Sequence, residues 1–148
     1  MKKFRFQLET LLKVTRRKKD DAELKFAEAS RKLDEARQKQ QQLLEELQEV
    51  QKEYESMTSE GHSINVNQIV MYNDYFNWKR MQIANQQQVV LRAQGEKQKC
   101  LKALMEVMSY LKSIEQLKEK RFREYQEEAL YEEQKMLDEI GLQLYARK

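Results

Sequence analysis

The chain has 148 residues, of which 36% are charged and 40% hydrophobic, and it contains no proline. Its hydrophobic residues are spaced among Glu, Lys, Gln and Arg, so the composition indicates long helices that bury a stripe of side chains and argues against a globular core. The single cysteine, Cys100, excludes an intramolecular disulfide, and no apolar run approaches the roughly 18–20 residues that span a bilayer.

Basic residues are concentrated at the start of the chain, where residues 2–19 read KKFRFQLETLLKVTRRKK and hold eight of the 28 Lys and Arg. Residues 1–20 carry a net charge of +6 and the rest of the chain −3. This start lacks the roughly 7–15 apolar residues of a secretory signal, although an Arg-rich, amphipathic start is also a feature of mitochondrial transit peptides. Because its heptad pattern continues unbroken along the chain, we interpret it as mature protein.

A repeat with alternating spacings of four and three follows and continues for seven heptads. Its positions, which we call the seam, are Leu8, Leu12, Thr15, Lys19, Ala22, Phe26, Ala29, Leu33, Ala36, Gln40, Leu43, Leu47, Val50, Tyr54 and Met57. Such a repeat is typical of a coiled coil and predicts a helix over about residues 3–59. The polar seam residues Thr15, Lys19 and Gln40 can fix the pairing register at some cost in stability.

The repeat stops at the stretch SEGHSINVNQI, which carries the signals of one helix ending and another beginning. Gly61 suits the left-handed position that follows a helix C-terminus. Asn65 can cap a new helix with Gln68 as its capping-box partner, and Ile64 and Ile69 have the spacing of a hydrophobic staple. The stretch therefore predicts a turn between two helices.

We predict an all-α fold, an antiparallel two-helix coiled-coil hairpin that forms a single domain over residues 1–148 and has an overhanging C-terminal helix. The turn is expected at about 60–65 and the second helix at about 66–145. If the chain folds back at residue 63, the numbers of facing residues sum to about 126. The facing pairs are then Met57–Ile69, Tyr54–Tyr72, Val50–Phe76, Leu43–Ile83, Ala36–Val90, Leu33–Ala93, Phe26–Cys100, Ala22–Leu104, Leu12–Ile114 and Phe4–Phe122.

Polar residues also face the seam in this register. Gln40 falls opposite Gln86, so their two amides can hydrogen-bond to each other. Two lysines fit less well, because Lys79 falls opposite Leu47 and Lys97 opposite Ala29, although lysine stems can extend over an apolar seam.

Gly95 marks the position at which a competing architecture would break the second helix. A break there would give a three-helix bundle of the spectrin kind. A lone glycine costs a helix only about 1 kcal/mol, so we expect at most a kink near residue 95.

Nothing in the sequence predicts catalysis, a metal site or a cofactor. His62, the only histidine, lies in the predicted turn, and no Cys/His cluster has the spacing of metal ligands. A glycine-rich phosphate loop is absent from a chain with three glycines. The protein is therefore predicted not to be an enzyme.

Two features at the end that carries both termini predict binding. Residues 126–148 have nothing opposite them, yet they carry one apolar stripe made of Leu130, Leu137, Ile140 and Leu144. Such a stripe usually marks a binding surface, although Gly141 could instead fray the end of the helix. The register also brings residues 2–5 beside a second basic group that consists of Lys118, Lys120, Arg121 and Arg123.

The basic end has three other interpretations: a solvated helix face, a helix lying on an anionic membrane, or a site for nucleic acid. No motif that reads RNA or DNA follows the basic residues, so no specific nucleic acid is predicted. A solvated face would not need charge gathered from both helices at one end, whereas an acidic socket would favour it.

Two segments resemble the signatures of the FliJ family. The first, residues 4–29, reads FRFQLETLLKVTRRKKDDAELKFAEA and resembles the start of FliJ proteins, with an aromatic-basic FxLQ-like run, a Leu-Leu pair and a basic cluster. The second, residues 64–88, reads INVNQIVMYNDYFNWKRMQIANQQQ and resembles the Tyr-rich start of the family's second helix. Length, hinge position and the absence of proline agree over essentially all 148 residues.

The resemblance implies a component of the flagellar type III export apparatus, similar in fold to the central stalk of rotary ATP synthases. It implies that the end with both termini docks into the hexameric ring of the export ATPase FliI. It further implies contact with the export gate protein FlhA and with export chaperones. The implied location is cytoplasmic, peripheral to the inner face of the cell membrane at the flagellar base.

The match also implies roles for particular residues. Its basic positions become candidates for ATPase contact, namely Arg5, Lys13, Arg16, Arg17 and Lys18. Their neighbours in the predicted register, Lys120, Arg121 and Arg123, are further candidates. The apolar overhang residues Leu130, Leu137, Ile140 and Leu144 are also candidates, because the longer C-terminal helix of the rotary ATP synthase stalk reaches into its ATPase ring. The candidates for gate contact are Tyr72, Tyr75 and Phe76, of which Tyr75 is the better surface candidate because the other two are seam residues. The alternative function is a generic coiled-coil tether or polyanion-binding scaffold.

Overall fold

The computed structural model describes residues 3–59 and 63–147, which form two helices, α1 (Glu9–Thr58) and α2 (Val66–Ala146). The helices pack against each other, so the predicted all-α helical hairpin is confirmed. The chain divides into two compact units. The terminal unit consists of Met1–Ala22 and Leu104–Lys148, and the hinge unit consists of Glu23–Ala103.

The core of the terminal unit forms where α1 and α2 meet at their predicted seam positions. Leu12, with no exposed surface, packs with Leu111 and Ile114, and Leu12–Ile114 is one of the predicted pairs. Thr15 is also buried, and its hydroxyl donates to the carbonyl oxygen of Leu11 at 2.7 Å. This polar seam residue therefore meets its hydrogen-bonding need within its own helix.

The core of the hinge unit follows the same register. Leu33, Ala36 and Val90 form one buried cluster, against which Ala93 packs. The predicted pairs Leu33–Ala93 and Ala36–Val90 are thus brought together. In each pair a large side chain packs against a small one.

The predicted pairing of two amides at Gln40 and Gln86 is wrong. Gln86 is buried, and its Nε2 donates to the backbone carbonyl oxygen of Ala36 at 2.9 Å. The small side chain of Ala36 leaves that carbonyl open to an approach from α2, and a carbonyl oxygen has a second lone pair for such a bond. Gln40 is only half-buried, so its amide does not depend on this partner.

The first helix begins at Glu9, so its predicted start at about residue 3 is wrong. The aromatic ring of Phe4 packs against α2, with its centroid 5.2 Å from that of Phe122 and 5.6 Å from that of Tyr125. The predicted Phe4–Phe122 pair is therefore confirmed. Extending α1 by one turn would gain little, because the first N–H groups of a helix have no partner within the helix. The aromatic contact of Phe4 can therefore hold the segment before α1 outside the helix.

The second helix begins as the capping signals predict. The backbone N–H of Asn65 donates to Gln68 Oε1, and the N–H of Asn67 donates to Asn65 Oδ1, both at 3.1 Å. This reciprocal arrangement satisfies donors that would otherwise be unpaired, so α2 begins at Val66. The predicted C-cap at Gly61 lies outside the described residues.

The second helix passes through Gly95 and Gly141 and ends at Ala146. A continuous helix excludes the three-helix architecture, and it also excludes fraying that starts at Gly141. At both glycines an added Cβ would have no atom within 4 Å. Neither glycine is therefore required by close packing, and each is a weak point in an otherwise regular helix.

Replacing Gly95 with Ala is expected to raise the free energy of unfolding by about 0.5–1 kcal/mol, because alanine loses less backbone entropy in a helix. Equilibrium urea unfolding, followed by circular dichroism, measures this change. The control is Gly141→Ala, which should have a smaller effect because it lies in the unsupported end of α2. A destabilised Gly95→Ala variant would show that the backbone there is not an ordinary helix.

Candidate interaction surfaces

The terminal unit carries the residues proposed from sequence for ATPase contact. We call their basic members the basic end. They are all exposed and consist of Arg5 before α1, Lys13, Arg16, Arg17 and Lys18 on α1, and Lys120, Arg121 and Arg123 on α2. The antiparallel pairing of α1 and α2 thus brings basic side chains from three segments to one unit.

Two ion pairs reduce the free charge of this region. Lys118 Nζ lies 2.9 Å from Glu9 Oε2, and Arg16 Nε lies 3.6 Å from Glu115 Oε1. The hydrogen bond from Lys118 lowers the pKa of Glu9, so that carboxylate is charged at neutral pH. The charge of Lys118 is therefore paired with Glu9 within the terminal unit.

Arg17 and Lys18 differ from these residues, because neither forms an ion pair with any residue in 3–59 or 63–147. Both are exposed on consecutive positions of α1. They follow Val14 by three and four residues, so they lie beside it on the helix surface. Val14 is itself 40% exposed. The basic end therefore combines free positive charge with an exposed apolar side chain.

The C-terminal overhang, residues 126–147, is the second surface of the terminal unit. Ala129 is half-buried, and every other residue of this range is exposed. The predicted stripe is exposed throughout, at 65% for Leu130, 56% for Leu137, 50% for Ile140 and 59% for Leu144. Four large apolar side chains on one helix thus have no partner among the described residues.

The overhang is also acidic, a property that the sequence reasoning missed. In residues 126–148, six carboxylates stand against the three basic side chains of Lys135, Arg147 and Lys148, which gives a net charge of −3. The carboxylates belong to Glu127, Glu128, Glu132, Glu133, Asp138 and Glu139. A charge count by segment would have revealed this, whereas a count over the whole chain averages it away.

The carboxylates have a definite position relative to the apolar stripe. At about 100° of rotation per residue, Glu133 lies within the stripe, and Glu127 and Asp138 lie along one edge of it. Glu128, Glu132 and Glu139 lie on the opposite face of the helix. The overhang is therefore an apolar surface with carboxylates within the stripe and along one edge.

The segment before α1 reaches the beginning of the overhang. A groove of about 440 Å³ is lined by basic and acidic residues together with apolar ones, namely Lys3, Phe4, Arg5, Tyr125, Glu128, Ala129 and Glu132. Lys3 and Arg5 thus lie near the first carboxylates of the overhang. The carboxylates that come later in the sequence, from Glu133 to Glu139, are not among the lining residues.

The hinge unit carries the aromatic residues proposed for gate contact. Tyr72, Tyr75 and Phe76 are all half-buried. The ring of Tyr54 lies 5.1 Å from that of Tyr72 and 5.7 Å from that of Phe76, so these two residues pack in the seam as the register predicts. The Tyr72 hydroxyl donates a hydrogen bond to Glu53 Oε1 at 3.2 Å. Burial raises the pKa of Tyr72, and this hydrogen bond raises it further.

The outward surface of the hinge unit includes residues that the sequence reasoning missed. Trp78 is 54% exposed and Met71 is 71% exposed. A spacing of seven places both on one face of α2, outside the seam, and this spacing was visible in the sequence. Beside them is an apolar groove of about 360 Å³, lined by Val50, Glu53, Met57, Gln68, Met71, Tyr72 and Tyr75.

Lys79 supports this aromatic surface from beneath. The residue is buried, and its Nζ lies 2.5 Å from Glu46 Oε2, 5.5 Å from the Tyr75 ring centroid and 5.1 Å from that of Trp78. The hydrogen bond with Glu46 raises the pKa of Lys79, although burial opposes this. The ammonium therefore pairs across the seam with Glu46, the residue next to Leu47 in the sequence.

We expect Glu46→Gln to lower the free energy of unfolding by about 1–2 kcal/mol, because it leaves the buried ammonium of Lys79 without its anion. This loss is at the low end of the range for broken buried ion pairs, because the Glu46 side chain is 40% exposed and water can replace part of its interaction with Lys79. Lys79→Met keeps the length of the side chain without the charge, so it should stay within about 1 kcal/mol of wild type.

The measurement is urea unfolding followed by the fluorescence of Trp78, the only tryptophan. A raised pKa means that Lys79 contributes its stability below its ordinary pKa of 10.5 and loses it as the pH rises through the folded value. The difference between the two variants should therefore be constant between about pH 6 and 9. A Glu46→Gln variant as stable as wild type would indicate that the rings of Tyr75 and Trp78 alone stabilise the charge of Lys79.

Two kinds of site are absent from the described part of the chain. Within residues 3–59 and 63–147, no three or more His, Cys, Asp and Glu side chains are grouped so that they could hold a metal ion. Neither described helix has a stretch apolar enough to cross a bilayer.

The sequence model of one protein family, described as Flagellar FliJ protein, matches residues 4–148. No curated protein and no solved structure matches the chain. The family match covers the basic end, the aromatic residues of the hinge unit and the overhang. It agrees with the family that the two sequence signatures indicate. The chain therefore belongs to the FliJ family, and it is a protein related to flagellar export.

Proposed function

We propose that the protein is a stalk of the flagellar export apparatus whose terminal unit docks into the hexameric ring of the export ATPase FliI. The observation that carries this proposal is the exposed overhang beside the basic end in the same unit. A helix of about 20 residues is only marginally stable alone in water, so a partner that buries its apolar stripe would stabilise it.

The two surfaces of the terminal unit would act at different stages of docking. The basic end, with the unpaired side chains of Arg17 and Lys18, would be attracted to acidic residues at the rim of the ring and would orient the approach. The overhang would then enter the ring and bury its apolar side chains. Charge would mainly set the rate and orientation of binding, and apolar burial would mainly set its strength.

The hinge unit would contact the export gate protein FlhA. Met71, Tyr75 and Trp78 offer exposed or half-buried apolar surface there, while Tyr72 and Phe76 hold it from within the seam. Aromatic side chains and methionine are enriched in protein interfaces, which supports this assignment. The protein would also handle export chaperones and would associate with the membrane only through these partners. It would perform no reaction of its own.

The alternative function is a coiled-coil tether or scaffold that binds polyanions. The free charges of Arg17 and Lys18 favour it. Purified protein immobilised on beads distinguishes the two functions: a stalk should retain the purified export ATPase at physiological salt and should not retain heparin or nucleic acid there. Retention of heparin and nucleic acid without retention of the ATPase would support the scaffold.

The double substitution Arg17→Glu/Lys18→Glu is expected to weaken ATPase binding at least tenfold, because it reverses two unpaired charges at the docking end. It should change the free energy of unfolding by less than about 0.5 kcal/mol, because both side chains are exposed. Surface plasmon resonance and thermal unfolding measure the two effects. The matched control is Arg37→Glu/Lys39→Glu, an equal change of charge on exposed positions of the hinge unit. Equal loss of binding in both variants would mean that net charge, and not the basic end, determines affinity.

Ending the chain after Ala129 is expected to remove stimulation of the ATPase while leaving the melting temperature within a few degrees of wild type. Every residue that this truncation removes and the structure describes is exposed, so little packing is lost. An ATPase assay and circular dichroism measure the two results. Full stimulation by the folded truncation would exclude the overhang as the docking element. Unfolding of the truncation would show that the overhang stabilises the hairpin.

A further inference from the structure

The overhang has a surface chemistry that specifies what can cover it. Its exposed apolar stripe includes Glu133 and has Glu127 and Asp138 along one edge, and the net charge of residues 126–148 is −3. A covering surface must therefore present basic side chains together with apolar ones. Burying the stripe against an uncharged surface would bring the carboxylates toward apolar groups, which is unfavourable unless they are paired.

The basic end of the terminal unit has this complementary pattern. Val14 is exposed on α1, with Lys13 before it and Arg17 and Lys18 one turn after it. Further apolar surface comes from Leu8 at 37% exposure and, on α2, from Phe122 at 41% exposure. An apolar stripe with carboxylates and an apolar patch with basic side chains thus occur in the same unit of one chain.

A single chain does not bring these two surfaces together. Within the unit, the basic residues that line grooves with overhang carboxylates are Lys3, Arg5 and Arg121, and the carboxylates in those grooves are Glu128 and Glu132. The later carboxylates, which include Asp138 and Glu139, lie further along α2, which continues to Ala146 away from those grooves. Their attraction to the basic end can therefore be satisfied only by another molecule.

We infer that two copies of this chain associate, with the overhang of each lying on the basic end of the other. A two-fold axis makes the two contacts identical, so each complementary pair is used twice. Each contact joins an apolar patch to an apolar stripe and sets basic side chains against carboxylates. The association is independent of the ATPase proposal, although it covers the same overhang.

Pairing of the two overhangs with each other is the main competing arrangement. It would bury apolar stripes together but would bring two helical segments of net charge −3 side by side. Like charges on neighbouring helices repel, and this repulsion is strongest at low salt. The two arrangements therefore have opposite salt dependences: salt weakens overhang-on-basic-end pairing and strengthens overhang-on-overhang pairing.

Sedimentation equilibrium of the purified full chain in about 50 mM and about 1 M NaCl, where the Debye length falls from roughly 14 Å to 3 Å, tests the inference. We expect a dimer at low salt and a monomer at high salt, with a dissociation constant that rises at least tenfold between them. A monomer at low salt, at protein concentrations up to several hundred micromolar, would overturn the inference. A dimer that tightens as salt is added would also overturn it, in favour of pairing between overhangs.

A charge swap tests which surfaces meet. One variant reverses three overhang carboxylates that do not line the groove with Lys3, namely Glu133→Lys, Asp138→Lys and Glu139→Lys. The other reverses three residues of the basic end, namely Lys13→Glu, Arg17→Glu and Lys18→Glu. Each variant alone should be monomeric at low salt, because both of its symmetric contacts then join like charges.

An equimolar mixture of the two variants should form a one-to-one heterodimer, because a positive overhang then meets an acidic face and a negative overhang meets a basic one. A chain with all six substitutions should likewise regain the homodimer. Circular dichroism of each variant confirms that it is folded, and restoration in the mixture itself excludes misfolding as the cause of the monomers. Failure of both restorations, with the variants folded, would show that these two surfaces do not contact each other.

Discussion

The register in which the two helices pair is the constraint on which the other features depend. Facing residues have numbers that sum to about 126, as Leu12 and Ile114 do in the terminal unit and Tyr54 and Tyr72 do in the hinge unit. The capping box at Asn65 fixes where α2 begins. Because α1 has 50 residues and α2 has 81, this register leaves the end of α2 without a partner in the chain. The exposed overhang follows from helix length and register together.

Buried polar groups make this register specific. Lys79 pairs with Glu46 across the seam, and Gln86 donates to the carbonyl of Ala36. After a slip of one heptad the two seams would still face each other, although different side chains would meet. The same slip would separate the Lys79 ammonium from its carboxylate and would leave the Gln86 amide unpaired, each at a cost of about 1–3 kcal/mol or more. The polar groups thus penalise the alternatives more than they stabilise the native pairing.

The helices and their pairing could be predicted from the sequence because a heptad repeat and a capping box are local patterns with strong physical causes. The start of α1 could not, because the position of Phe4 is decided by Phe122 and Tyr125, which are distant in sequence. The partner of Gln86 was missed for a related reason, since backbone carbonyls are not visible in a residue pattern. The basic end was found from charge alone. Trp78 was not predicted, because the family resemblance indicates only Tyr72, Tyr75 and Phe76.

The distribution of charge in the terminal unit has a consequence for any partner of the overhang. The overhang is acidic and the neighbouring basic end is positive, so a partner that encloses both must change the sign of its own charge along the direction of entry. A ring with acidic walls throughout would attract the basic end and repel the overhang that leads it. A second copy of the chain already offers the correct order of charges to the overhang. A partner can therefore displace that copy only if its attraction to the carboxylates and its burial of the apolar stripe together exceed those of the second copy.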